Sequence, residues 1–123
     1  MPAPDPMQKP KPQPMQETLP RERRPALSAT QVIAGLAKLS DWKLHGDGAD
    51  VAIEKTFSFK NYLRTIAFVN AVAFIAEQQD HHPELLVRYN RCSVRFNTHD
   101  VQGITQSDFV CAALVDALLQ AAT

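Results

Sequence analysis

Three segments of the chain repeat one helix-entry pattern, and they constrain the fold more than any other feature. Leu27-Ser28-Ala29-Thr30-Gln31-Val32 puts serine at a helix N-cap and glutamine three residues later, with apolar residues just before the cap and four after it. Phe57-Ser58-Phe59-Lys60-Asn61-Tyr62 repeats the layout with asparagine in the glutamine position, and Ile104-Thr105-Gln106-Ser107-Asp108-Phe109 repeats it with aspartate. A capping side chain satisfies amides that the first helical turn leaves without partners, and the flanking apolar pair fixes the entry angle. The pattern predicts three helices starting near residues 29, 59 and 106. The first reaches about Leu39 with Val32, Ile33, Leu36 and Leu39 on its inner face. The second turns Tyr62, Ile66, Val69, Ala73 and Phe74 inward and ends near Asp80. The third carries Phe109, Ala112, Ala113, Leu114, Leu118 and Leu119 toward the C-terminus.

Between the helices the apolar period changes to two. From Trp42 to Phe57 a Gly46-Asp47-Gly48 turn signal separates two extended runs, and Val51, Ile53 and Phe57 alternate with more polar neighbours. A second pair, Leu85 to Tyr89 and Cys92 to Thr98, flanks Asn90-Arg91. Cys92, Val94 and Phe96 then share one face, and Ser93, Arg95, Asn97 and His99 the other. The order is α-β-β-α-β-β-α. The economical packing is an α+β domain, a four-stranded antiparallel sheet with three helices on one face.

Residues 27–123 suffice for one domain. Residues 1–26 differ: eight of the nine prolines lie within the first 25 positions, with few large apolar side chains. Such a segment cannot offset its ordering entropy by burial and is expected to be a disordered, solvated leader, with a protein partner for the tail as the other reading. Lys plus Arg and Asp plus Glu balance at 13 each, which argues against nucleic acid or an anionic membrane as a partner. No apolar run approaches the roughly 18 residues of a membrane span, and no signal-peptide core is present, so a cytoplasmic location is expected. Cys92 and Cys111 lack metal-ligand spacing and read as buried free thiols.

The chemistry concentrates in Glu77-Gln78-Gln79-Asp80-His81-His82-Pro83-Glu84, which holds two of the four histidines. Pro83 pushes His82 out of helical geometry, so the two imidazoles sit at a helix-to-strand junction and diverge. Glu77 is four residues before His81 and could meet it across the last turn. Three readings stay open on these residues: a polar helix terminus, a metal site for which adjacent histidines converge poorly, and acid–base chemistry. His99, on the face of Arg95 and Asn97 at the end of the last strand, adds weight to the third. Asp108 is explained as a cap at the third position of its helix, His45 as a solvated turn residue, and Trp42 as core or cleft wall.

The spacing Glu77-x3-His81-His82-Pro83, then Tyr89, His99 and Asp108, together with "RYNRC", "THD" and "GIT", resembles the signature of the pterin-4a-carbinolamine dehydratases, bacterial type, over roughly residues 27–120. The resemblance implies the α+β fold and dehydration of 4a-hydroxytetrahydropterin to quinonoid dihydropterin, which regenerates the pterin cofactor of aromatic amino acid hydroxylases. It implies a pterin substrate, no metal or organic cofactor, and a homo-oligomer, dimer or tetramer. By position, His81 and His99 resemble the acid–base pair and His82 the pterin-positioning histidine, while Glu77 and Asp108 orient the rings. Leu85-Leu86 stands where many members carry an aromatic residue, and Gln102-Gly103 where many carry Gly-Gly. Some relatives with this fold act in RuBisCO assembly, so the alternative is a non-catalytic assembly or binding protein on the same scaffold.

Overall fold

A computed structural model describes residues 25–120. The expected proline-rich leader lies outside the described residues. The order is α1 (Ala29–Ala37), β1 (Lys43–His45), a 3₁₀ turn (Gly48–Asp50), β2 (Ala52–Ser58), α2 (Tyr62–Gln79), β3 (Glu84–Val87), β4 (Arg91–Phe96), a second 3₁₀ turn (His99–Val101) and α3 (Gln106–Gln120). The strands form one antiparallel sheet in the order β1-β2-β4-β3. This is the predicted α+β fold. The order itself follows from α2 carrying the chain from β2 to the far edge, after which the β3–β4 hairpin folds β4 back beside β2.

Register decides which side chains face the helices. Ile53, Lys55 and Phe57 on β2 lie opposite Phe96, Val94 and Cys92 on β4, and Leu85 and Val87 on β3 lie opposite Val94 and Cys92. Strand parity puts this set on one face, and its apolar members join Trp42, Phe68, Val72, Phe109 and Val115 in the core. The other face presents Glu54, Thr56, Ser93 and Arg95. Lys55 is the one charged residue of the inward set. Its Nζ meets Asp116 of α3 at 2.8 Å, and Asp116 also accepts from Trp42 Nε1 at 3.0 Å, so the sheet, Trp42 and α3 are pinned together. Both cysteines are buried thiols outside any disulfide, and burial pushes the Cys92 thiol up from its ordinary value.

Two of the three helix entries form where expected. Ser28 and Gln31 make a reciprocal capping box, with Gln31 N donating to Ser28 Oγ at 3.2 Å and Ser28 N to Gln31 Oε1 at 2.9 Å. Thr105 and Asp108 make the α3 entry, described below. The middle entry does not start at Ser58. Sheet pairing continues through that residue, which lies opposite Arg91, and Phe59 N donates to Asn90 O at 2.8 Å. The helix therefore begins three residues later, where the Asn61 carboxamide accepts from Arg64 N at 2.9 Å.

The inner face of α2 is also displaced. Thr65, Phe68, Val72, Ile75 and Ala76 are buried, whereas Tyr62, Ala73 and Phe74 of the expected stripe are exposed and Ile66 and Val69 half-buried. The helix is apolar around most of its circumference, so periodicity alone offers two stripes. Local anchors choose between them: Phe68 packs 4.7 Å from Phe57 and 4.9 Å from Phe59, and the one hydroxyl hydrogen of Thr65 is shared between Asn61 O at 2.9 Å and Tyr89 O at 3.1 Å. On α1, Ile33 points outward for a similar reason, since Val32 supplies the buried contact.

The α1–α3 contact has one close approach that suits glycine unless a ring shifts. A Cβ added at Gly35 would stand 2.6 Å from Phe109 Cζ. Gly35→Ala is therefore expected to destabilise the domain by about 1 kcal/mol or more, although alanine favours helix by roughly 1 kcal/mol over glycine. Urea denaturation checks it, and a gain in midpoint would show that the Phe109 ring moves aside freely.

Candidate active site

The end of α2 separates the two adjacent imidazoles. Asp80 takes a left-handed conformation (φ 49°), its N–H donates to Glu77 O at 3.3 Å, and His81 N donates to Ala76 O at 3.1 Å. This closure stops the helix and reverses the chain, a geometry aspartate tolerates better than most residues. Pro83 then favours an extended His82 just ahead of β3. As a result, His81 turns inward over Phe96, with ring centroids 5.9 Å apart and planes within 9°, while His82 turns out to solvent.

Each ring receives its own carboxylate, but not in the predicted pairing. Glu77 Oε1 meets His82 Nε2 at 2.9 Å, not His81, because the left-handed turn at Asp80 takes His81 off the helical track where a four-residue spacing would align them. That pair is exposed, and a surface contact of this kind contributes at most about 1 kcal/mol. His81 Nε2 instead meets Asp108 Oδ1 at 2.5 Å, with His81 only 6% exposed and Asp108 fully buried.

Asp108 is both cap and anchor. Its Oδ2 accepts from Thr105 N at 2.9 Å, which is the N-terminal cap read from its helical position. The same oxygen accepts from Thr98 Oγ1 at 2.7 Å, and the Thr98 and Thr105 hydroxyls are 2.7 Å apart. A buried carboxylate is costly unless its lone pairs are used, and here three donors converge on its two oxygens. Thr105 announces itself through cap spacing. Thr98 falls within the "THD" stretch of the family resemblance without being singled out there, and Phe96, which also builds the site, carries no signal beyond its strand position.

His99 does not end a strand. β4 stops at Phe96, Asn97 Nδ2 donates to Val51 O at 2.5 Å, and His99 opens the 3₁₀ turn. Its side chain is exposed, and it stands one residue beyond Thr98, whose hydroxyl is on Asp108. Thus the chain brings His81, Asp108, Thr98 and the root of His99 together, with His82 and Glu77 at the adjoining surface. His45 is not merely solvated: it pairs with Glu54 at 3.3 Å on the open sheet face, tied to no part of this cluster. Among the described residues no three His, Cys, Asp or Glu side chains gather in a group that could hold a metal ion. Also among them, no helix is long and apolar enough to cross a membrane.

A family model described as "Pterin 4 alpha carbinolamine dehydratase" matches residues 25–118. A relative from Paracidovorax citrulli, provisionally named a pterin-4-alpha-carbinolamine dehydratase, is 63% identical over 98 residues, covering 80% of this chain and 84% of its own. One from Bdellovibrio bacteriovorus with the same provisional name is 52% identical over 97 residues, covering 76% and 78%. Among solved structures, a transcriptional coactivator/pterin dehydratase from Brucella melitensis is similar with a TM-score of 0.70 and 31% identity over 76% of this chain and 97% of that one. A pterin dehydratase-like protein identified as a RuBisCO assembly factor in the alpha-carboxysome is similar at a TM-score of 0.54 and 25% identity, covering 63% and 88%.

Proposed function

The chain belongs to the pterin 4 alpha carbinolamine dehydratase family, and from that membership we propose that it converts 4a-hydroxytetrahydropterin to quinonoid dihydropterin and water. The observation that carries the reading is the buried His81–Asp108 pair joined through Thr98 to the base of the exposed His99. In the reaction the C4a–O bond breaks and the hydroxyl leaves as water after gaining a proton. A base removes the N5 proton, and the N5 electron pair forms the new double bond to C4a. One group must donate a proton and another accept one, and imidazoles do both near neutral pH.

His81 and His99 act as this acid–base pair. His82, turned to the surface and held by Glu77, positions the pterin, and Asp108 orients His81. No step calls for a metal or organic cofactor. The protein works in the cytoplasm as a homo-oligomer, in recycling of a tetrahydrobiopterin-type cofactor.

Stopped-flow absorbance of carbinolamine decay tests the reading. The purified protein should accelerate decay well above buffer, and His99→Ala should lower kcat by about 10²-fold, the low end for a lost acid–base group, because water can reach an exposed site and partly substitute. Decay no faster than in buffer would remove the dehydratase reading and leave a non-catalytic assembly role on the same scaffold.

A further inference from the structure

Resting on the dehydratase reading, we infer that Thr98 is a positioning residue for both proposed acid–base histidines and that it holds the neutral His81 ring with its hydrogen on Nε2. Thr98 is buried, and its hydroxyl has one hydrogen to give. Asp108 Oδ2, 2.7 Å away, can only accept, so that hydrogen goes to the carboxylate. The Thr105 hydroxyl, 2.7 Å from Thr98 Oγ1, must then donate to Thr98. Thr105 N–H supplies the second donor to Oδ2. With Oδ2 occupied twice, the carboxylate plane is set and Oδ1 is presented to His81 Nε2 at 2.5 Å.

A carboxylate oxygen does not donate, so Nε2 of the neutral ring carries the hydrogen and Nδ1 keeps its lone pair. Nδ1 is then the ring atom able to exchange a proton with the substrate. The Phe96 ring, stacked parallel to the imidazole, keeps the ring plane from rotating away from this arrangement.

Thr98 also roots the second histidine. Its N–H donates to Gly103 O at 2.9 Å and its carbonyl accepts from Gly103 N at 3.4 Å, which closes the turn His99–Val101 at its base. One residue thus sets the acceptor that orients the first imidazole and anchors the turn that carries the second.

Thr98→Val removes the hydroxyl at nearly constant volume, and Thr98→Ser restores it. On ¹⁵N-labelled protein at a pH where the His81 ring is neutral, imidazole NMR should show the Nε2–H tautomer with a slowly exchanging proton. Thr98→Ser should keep that signature and stay within about twofold in kcat. Thr98→Val should lose the slow exchange and lower kcat about tenfold or more, with KM changed less than about twofold, as expected for a group that orients and does not bind. An Nδ1–H tautomer in the unsubstituted protein would overturn the inference even if Thr98→Val did not fold. So would a Thr98→Val protein with unchanged tautomer, exchange and kcat. The NMR result does not depend on turnover, so an inactive protein with the Nε2–H signature would defeat the dehydratase reading and leave the positioning of His81 standing.

Discussion

Replacing His81 with alanine is expected to lower kcat for carbinolamine dehydration by about 10³-fold, within the usual range for loss of an acid–base group, and more than His99→Ala does. The difference arises from burial. His81 is 6% exposed and packed on Phe96, so the space left by the ring is shut off from bulk solvent and water does not readily take its place as a proton carrier. Substrate affinity should change much less, because His82 and not His81 lies at the exposed edge. Stopped-flow kinetics at saturating and limiting pterin separate the two effects. A His81→Ala protein with more than about a tenth of the original kcat would move the proton transfer elsewhere. The natural candidate would be His82, which would then have to act with Glu77 from the surface.

The largest stability effect is expected at Asp108. Asp108→Ala removes the acceptor for three donors at once: Thr105 N–H, the Thr98 hydroxyl and His81 Nε2. All three belong to residues that are themselves buried, so they cannot turn to solvent. Breaking a buried pair by removing one partner costs about 3–5 kcal/mol, and the lost helix cap falls within that figure. For a domain of this size the melting temperature should fall by roughly 15 °C or more. Differential scanning calorimetry checks it. The matched control is Glu77→Ala, which removes the exposed carboxylate from His82 and should cost less than about 1 kcal/mol. Equal losses for the two variants would mean that the interior network contributes no more than a surface ion pair.

These contrasts also mark which parts of the molecule could be read in advance. The element order, both hairpins and the α1 and α3 entries depend on contacts within a few residues, such as Ser28 with Gln31 and Thr105 with Asp108, and local patterns expose them. The start of α2 was not legible, because Ser58 answers equally well to a cap and to a strand. Only the pairing partner Arg91, more than thirty residues on, decides for the strand. The inner face of α2 was ambiguous for a related reason: a helix apolar on several sides buries whichever stripe its neighbours accept, and Phe57, Phe59 and the Tyr89 carbonyl accept Phe68 and Thr65.

The same division holds at the site. The residue types, their spacing and the break at Pro83 are properties of the chain, and they single out His81, His82, His99, Glu77 and Asp108. The pairing is not. Helical spacing offers Glu77 to His81, yet one left-handed residue, Asp80, hands Glu77 to His82 and sends His81 to Asp108, 27 positions away. Thr98 lies in the quoted "THD" stretch, but its contact with Asp108 follows the bridge to Gly103 between the end of β4 and the start of α3. Backbone preferences and caps act over a turn or two, so the sequence by itself determined the elements and the chemical groups they carry. Which carboxylate serves which imidazole depends on burial and on contacts between distant segments, and only the tertiary structure decided it.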